Sequence, residues 1–264
     1  MAKPFKGKVR FRVDGQSREV RLNERGEFFI TDDFKNLENI TFETTKGAPI
    51  DKVQTYPSIF TYNHPSYIVI SDMDDTILIS RSTKFLSKLW LMLFRQTSKR
   101  NFVEESEKAY RKLKDKEIPF FYVSASEQNL FATIANFLEF HELPIGPIFL
   151  RPYATWKQMM GEKSREDFKV KRIERIMSIF PQVKIALFGD DSQNDPAVFK
   201  ALSHKYPERI DRVFIRNTGA SKNLDLISTM KKTEAEMAEV FHYSKFEEIE
   251  SAINQIIDEN TSGS

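Results

Sequence analysis

The polar and apolar positions of this chain repeat with two different periods, and the change between them falls near residue 63. Before it, Lys8-Val9-Arg10-Phe11-Arg12-Val13 alternates, as a strand with one buried face does. Asp14-Gly15-Gln16 reads as a turn and residues 18–22 as the return strand. Glu24-Arg25-Gly26-Glu27 is a second turn that leads into Phe28-Phe29-Ile30, and residues 39–43 supply a further strand. These elements predict a small β-rich domain over residues 1–62, with no catalytic cluster in it. We expect it to brace the rest of the chain; a partner- or membrane-facing surface is the alternative.

Beyond that point strands alternate with helices. A strand at 67–71 is followed by helical periodicity over 83–95 and 102–116. Ile118-Pro119-Phe120-Phe121-Tyr122-Val123 is a strand ending in Ser124-Ala125-Ser126, and a helix runs over 128–141. Ile148-Phe149-Leu150 ends at Arg151, and a helix over 167–180 stops at Pro181. The strand at 183–188 ends in Gly189-Asp190-Asp191 and precedes a helix at 196–205. The strand at 212–215 ends at Arg216, and 246–257 is a last amphipathic helix. Near-continuous apolar strands between helices predict an α/β, Rossmann-like parallel sheet with helices on both faces, spanning 63–258, with a flexible tail at 259–264. In such a sheet the strand ends point to one edge, which would gather Asp72, Ser124, Arg151, Asp190 and Arg216 at one mouth.

Composition narrows the function classes. With 40% apolar and 30% charged residues the chain is that of a globular protein, and a net charge of +2 gives no reason to expect a nucleic-acid partner. The absence of cysteine excludes disulfides, thiolate zinc sites and thiol catalysis. It suits a reducing compartment, and we expect a cytoplasmic protein. No apolar stretch follows the basic start Lys3-Pro4-Phe5-Lys6, so no signal peptide is expected, and no run is long enough for a membrane span. The apolar stretch from Phe85 to Phe94, flanked by Lys84, Arg95, Lys99 and Arg100, reads as a core or covering helix. Peripheral contact with a membrane surface is its other reading.

The chemistry concentrates where Ile68-Val69-Ile70-Ser71 gives way to Asp72-Met73-Asp74-Asp75-Thr76. Carboxylates this close repel one another and resist losing water, so they are either solvated on a turn or helix cap or hold a cation, and at the end of a buried strand we expect the cation. A phosphomonoester is itself anionic, and a divalent ion that neutralises both groups makes attack feasible. Mg²⁺ suits such oxygen ligands. Asp72 and Asp190 are the natural direct ligands, with the Asp74 backbone carbonyl a third. Asp195 would hold a metal-bound water, and Asp191 competes for that place. Asp72 would attack phosphorus and carry an aspartyl-phosphate, with Asp74 as proton shuttle. Ser124 would donate to the phosphate, with Ser126 its competitor. Lys169, or alternatively Lys171, would balance charge in the transition state. Arg151 and Arg216 would clamp a substrate anion or form structural ion pairs. His64, His141, His204 and His242 have no metal-ligand spacing, and no chemistry is assigned to them.

These residues, in this order, resemble the four motifs of haloacid dehalogenase-superfamily phosphatases, and the acid at the third position of the first motif points to phosphatases within it. A closer resemblance, over about 67–217, is to the actin-patch-type phosphatidate phosphatase catalytic domain. It rests on Ile70-Ser71-Asp72-Met73-Asp74-Asp75-Thr76, residues 119–126, Gly146-Pro147-Ile148-Phe149-Leu150-Arg151, and Tyr206-Pro207-Glu208-Arg209-Ile210 with Ile215-Arg216. That resemblance implies Mg²⁺-dependent removal of phosphate from phosphatidate to give diacylglycerol. The fourth motif departs from the family pattern, since Asp191 stands where the family has serine. The stretches between motifs are short and leave room for only a minimal cap. A phosphatase acting on a phosphoprotein or nucleotide is the alternative within the fold. A non-catalytic module that binds anionic lipid is the alternative outside it.

Overall fold

A computed structural model describes residues 7–13, 16–22, 40–50, 56–57, 60–62, 64–73, 97–151, 162–192, 194–219, 223–233 and 238–262. The elements expected at 28–30 and 83–95, and Asp74, Asp75 and Thr76, lie outside the described residues.

The chain divides into two compact units, Met1–Tyr56 and Pro57–Ser264. In the first, β1 (Lys8–Val13), β2 (Gln16–Arg21) and β3 (Thr41–Thr44) form an antiparallel sheet in the order β2-β1-β3. Val13 stands opposite Gln16, and Asp14 and Gly15 of the expected turn lie outside the described residues. The alternation of β1 buries Val9, Phe11 and Val13 and turns Lys8, Arg10 and Arg12 the other way. There Lys8 pairs with Glu19, and Arg10 and Arg12 share Glu43.

The second unit includes Tyr62. The Tyr62 ring packs against Phe121 and Phe180, with centroids 5.3 and 5.9 Å away, so it belongs to the larger core. Its elements, in chain order, are β4 (Tyr67–Asp72), α1 (Thr97–Lys114), β5 (Phe120–Glu127), α2 (Phe131–Phe140) and β6 (Ile148–Arg151). Then come α3 (Glu162–Ile179), β7 (Lys184–Asp190), α4 (Asp195–Lys205), β8 (Ile210–Arg216), α5 (Leu224–Thr233), β9 (Glu239–Tyr243) and α6 (Glu250–Ser262). The six strands are parallel, in the order β6-β5-β4-β7-β8-β9. Counted from β4 this is 3-2-1-4-5-6, the Rossmann order.

Period-two alternation divides the core in two. Ile68, Ile70, Phe121, Val123, Ile185, Leu187, Val213 and Ile215 form one buried cluster with Ile173 and Ile176 of α3, Phe199 and Leu202 of α4, and Met230 of α5. On the opposite face Tyr110 of α1 meets Phe120 and Phe188, and Phe188, Phe214 and Phe241 stack across three strands. The helix α6 packs on α1 and β4.

Four features depart from the expectations. The strand β5 runs on through Ser124 to Glu127, with an irregular register against β6 between those two residues. The helix α5 and the edge strand β9 have weak local signals, since β9 is five mixed residues paired on one side only. The expected tail is helix as far as Ser262. The Asn260 side-chain oxygen accepts from the backbone N–H groups of Ser66 and Tyr67, at 3.1 Å each, which ties the residues after 258 to the start of β4. The helix α1 begins five residues before its expected start. No helix among the described residues is long and apolar enough to cross a membrane.

Candidate active site

In a doubly wound sheet the chain leaves its first strand in one direction and later returns to the other side. The crevice opens where those directions part. Here that point lies between β4 and β7, and the last residues of these two strands are Asp72 and Asp190. Ser71 is level with Phe188 and Asp72 with Val123, so Asp190 and Ser124 follow just beyond the last paired residues of the two strands that flank β4.

Asp72 continues the face of Ile68 and Ile70, the face that α3 covers. From α3, Lys169 places Nζ 2.8 Å from Asp72 Oδ1 and 2.6 Å from Asp195 Oδ1. Lys169 is 5% exposed. Burial alone would lower its pKa, but the Asp195 and Asp72 carboxylates outweigh that and hold it above the usual lysine value. Lys171, two residues on, is turned about 200° around the helix and is exposed. Lys169 is therefore the lysine at Asp72.

Asp195 opens α4, where proline follows at 196. Its Oδ2 accepts the Asp190 backbone N–H at 3.2 Å, so both of its oxygens are engaged. The approach requires glycine at 189: a Cβ there would stand 2.6 Å from Asp195 Oδ2 and 2.8 Å from Phe199 Cε2.

The other acids of this loop part company. Asp190 Oδ1 accepts from the Ser192 backbone at 2.9 Å and from its hydroxyl at 2.7 Å, and Oδ2 lies 3.2 Å from Arg216 Nη2. Arg216 thus holds a carboxylate of the site. Asp191 is fully buried and points elsewhere. Its Oδ1 accepts from the Thr218 backbone and hydroxyl, its Oδ2 is 3.0 Å from His242 Nε2, and its carbonyl accepts from Asn223. Asp191 ties the ends of β7, β8 and β9 together. His242, to which the sequence reading assigned no chemistry, is its partner. Ser124 is buried and its Oγ accepts the Ser126 backbone N–H at 3.0 Å, which leaves a hydroxyl proton to donate. Beneath the site Ser71 Oγ meets the Tyr110 hydroxyl at 2.7 Å, a support that alternation alone does not reveal. Arg151 ends β6, 7% exposed.

No group of three or more His, Asp or Glu side chains gathers to hold a metal among the described residues. Asp72 and Asp190 do stand on adjacent strand ends as hard oxygen donors. Mg²⁺ typically takes one or two carboxylates and fills its octahedron with waters and substrate phosphate, so this donor set fits it better than it fits Zn²⁺ or Ca²⁺.

Comparison with known proteins places part of this chain in a family. The phosphatidate phosphatase APP1 of Saccharomyces cerevisiae is 28% identical over 189 residues, 70% of this chain and 32% of its own length. An uncharacterized protein of Schizosaccharomyces pombe is 25% identical over 199 residues, 74% of this chain and 32% of its own length. The chain spans about a third of the length of these curated relatives. Residues 67–217, which run from the start of β4 to just past Arg216, match the family described as the catalytic domain of phosphatidate phosphatase APP1. They cover more than half of the chain, which therefore belongs to the phosphatidate phosphatase APP1 catalytic-domain family.

Proposed function

We propose that this chain is a phosphatase of the haloacid dehalogenase superfamily that hydrolyses phosphatidate to diacylglycerol through an aspartyl-phosphate on Asp72. The observation that carries the reading is Lys169, buried between Asp72 and Asp195 at the switch point of the sheet. A lysine so held is charged, fixed and within reach of any phosphoryl group presented to Asp72. With Oδ1 on Lys169, Asp72 attacks phosphorus through Oδ2. The bond to the leaving alkoxide breaks, and Asp74 delivers the proton that oxygen needs. Asp74 then takes a proton from the water that attacks the acyl-phosphate and restores the Asp72 carboxylate. Ser124 donates its hydroxyl to a phosphoryl oxygen. Mg²⁺, held by the Asp72 and Asp190 carboxylates and the Asp74 carbonyl, would supply charge neutralisation of the phosphoryl group. Asp195 orients Lys169, and a metal-bound water is the contact left to it. Phosphatidate enters from the family and from the printed activity of the yeast relative.

The test is phosphate release from phosphatidate in mixed vesicles and from soluble phosphoesters, with Mg²⁺ and with EDTA. EDTA should abolish turnover. Asp72→Asn should lower kcat by about 10³-fold or more while leaving the folded state intact. A wild type that is silent on every phosphoester across divalent metals refutes the reading. Turnover of soluble esters alone moves the substrate away from lipid.

A further inference from the structure

The helix α1 touches the end of β4 through a pair of hydroxyls that take no part in the proposed chemistry. Ser71 is fully buried on the face opposite Asp72, and its Oγ meets the Tyr110 hydroxyl at 2.7 Å. The same Oγ donates to the Asp72 carbonyl at 3.1 Å. Burial holds the Tyr110 pKa above the usual tyrosine value, so its hydroxyl keeps its proton. With the Ser71 proton given to the carbonyl, Tyr110 is the donor to Ser71. The Tyr110 ring lies edge-on to Phe120 and Phe188, with centroids 5.2 and 5.3 Å away, which fixes where its hydroxyl points. The bonds thus run from α1 to Ser71 and on to the main chain of Asp72.

They end where the sheet parts. Pairing of β4 with β7 stops at Ser71 opposite Phe188, and the Asp190 N–H goes to Asp195. The peptide between Asp72 and Met73 is held at its carbonyl by Ser71 and at its N–H by the Val123 carbonyl of β5, 3.3 Å away. From that peptide the chain leads directly to Asp74. The Asp72 carboxylate has a separate hold, because Lys169 grips it from α3 on the other face of the sheet. A shift of the peptide therefore disturbs Asp74 before it disturbs the nucleophile.

We infer that Ser71 and Tyr110 are positioning residues for Asp74: Tyr110 holds Ser71, Ser71 holds the Asp72 carbonyl, and the chain leaving that peptide brings Asp74 to the leaving oxygen. The inference rests on the phosphatase reading above, which makes Asp74 the proton donor. A second hydroxyl pair on the same helix docks α1 without reaching Asp72. One turn before Tyr110, Ser106 meets the Tyr243 hydroxyl of β9 at 3.0 Å, three strands away from β4. It separates the positioning of Asp74 from the mere seating of the helix.

The experiment measures kcat/KM for phenyl phosphate and para-nitrophenyl phosphate in Mg²⁺. Phenolate needs a proton to leave and para-nitrophenolate scarcely does, so the ratio of the two reports proton donation. Tyr110→Phe should lower kcat/KM for phenyl phosphate about tenfold and change that for para-nitrophenyl phosphate by less than about twofold. Ser71→Ala should lower the first further, and the double variant should match Ser71→Ala, since Tyr110 then has nothing to hold. Tyr110→Phe keeps the ring packing and carries the test if Ser71→Ala does not fold. Tyr110→Phe and Ser106→Ala each lose one hydroxyl bond and should lower the thermal midpoint by about 2–4 °C, but Ser106→Ala should leave the ratio as it is in the wild type. Equal losses on both esters overturn the inference, as does a lower midpoint with an unmoved ratio in Tyr110→Phe. So does a Ser106→Ala protein that repeats the Tyr110→Phe pattern, which reduces the hydroxyls to helix docking. A wild type that turns over neither ester refutes the phosphatase reading and the inference with it. A wild type that turns over both, with the ratio unmoved in the variants, overturns the inference alone.

Discussion

Lys169 shows how one side chain joins stability to chemistry. It is the cation that permits Asp72 and Asp195 to be buried side by side. Lys169→Met should strand both carboxylates and lower stability by about 3–5 kcal/mol, with activity lost, as urea unfolding and phosphate release would report. A cost below about 1 kcal/mol would mean that the pair is held some other way. The pH dependence follows from the raised pKa. The contribution of Lys169 is complete below the unfolded lysine value of 10.5 and fades only as pH rises through the higher folded value, so it is constant from pH 6 to 9. Asp191 is the opposite case. Its acidic neighbours suggest a ligand, but its oxygens are spent on Thr218 and His242, so it shapes the loop that presents Asp190.

Among the elements, α6 is fastened at the far edge of the sheet from the site. Glu259 accepts from Lys184 and Arg212 at 2.7 and 3.1 Å, and Asn260 receives the first N–H groups of β4. Arg212 also donates to the Tyr67 hydroxyl and to Asp211 at 2.7 Å each, so three strands and one helix share a polar cluster. Deleting residues 259–264 should therefore destabilise the protein by about 2 kcal/mol at pH 7, where loss of a frayed tail would be neutral. Burial raises the Glu259 pKa, but its bonds to Lys184 and Arg212 outweigh that and hold it below the usual 4.5. Its contribution is thus full above pH 4.5 and lost as pH falls through the lowered value. The difference between full-length and truncated protein should narrow in acid, as denaturant titrations at several pH values would show.

For the whole molecule, the six-stranded order matters because it sets a carboxylate on each side of the switch point. If Asp72 and Asp190 hold Mg²⁺ in the folded state only, the metal must stabilise the fold without any substrate. At a concentration about 100 times its dissociation constant the gain is about 2.7 kcal/mol. The thermal midpoint should rise with Mg²⁺ in the wild type and not in Asp190→Asn. A midpoint indifferent to Mg²⁺ up to tens of millimolar would remove the metal from this pair.

The alternation of strands with helices, the parallel sheet and the edge at which Asp72, Ser124, Asp190 and Arg216 end up were legible in the chain itself. Periodicity and the polar residue that ends an apolar run are local properties, written within about ten neighbouring residues. The partners of those side chains were decided elsewhere. Lys169 and Lys171 differ only in which face of α3 meets the sheet, and the local pattern does not say which face that is. Arg151 and Arg216 look alike as strand-end arginines. One lies beside Asp190 because β7 and β8 are neighbours, and the other stands on the edge strand β6, in register with Glu127. Pairing of this kind depends on strand order and on segments far apart in the chain, so only the tertiary structure could assign it.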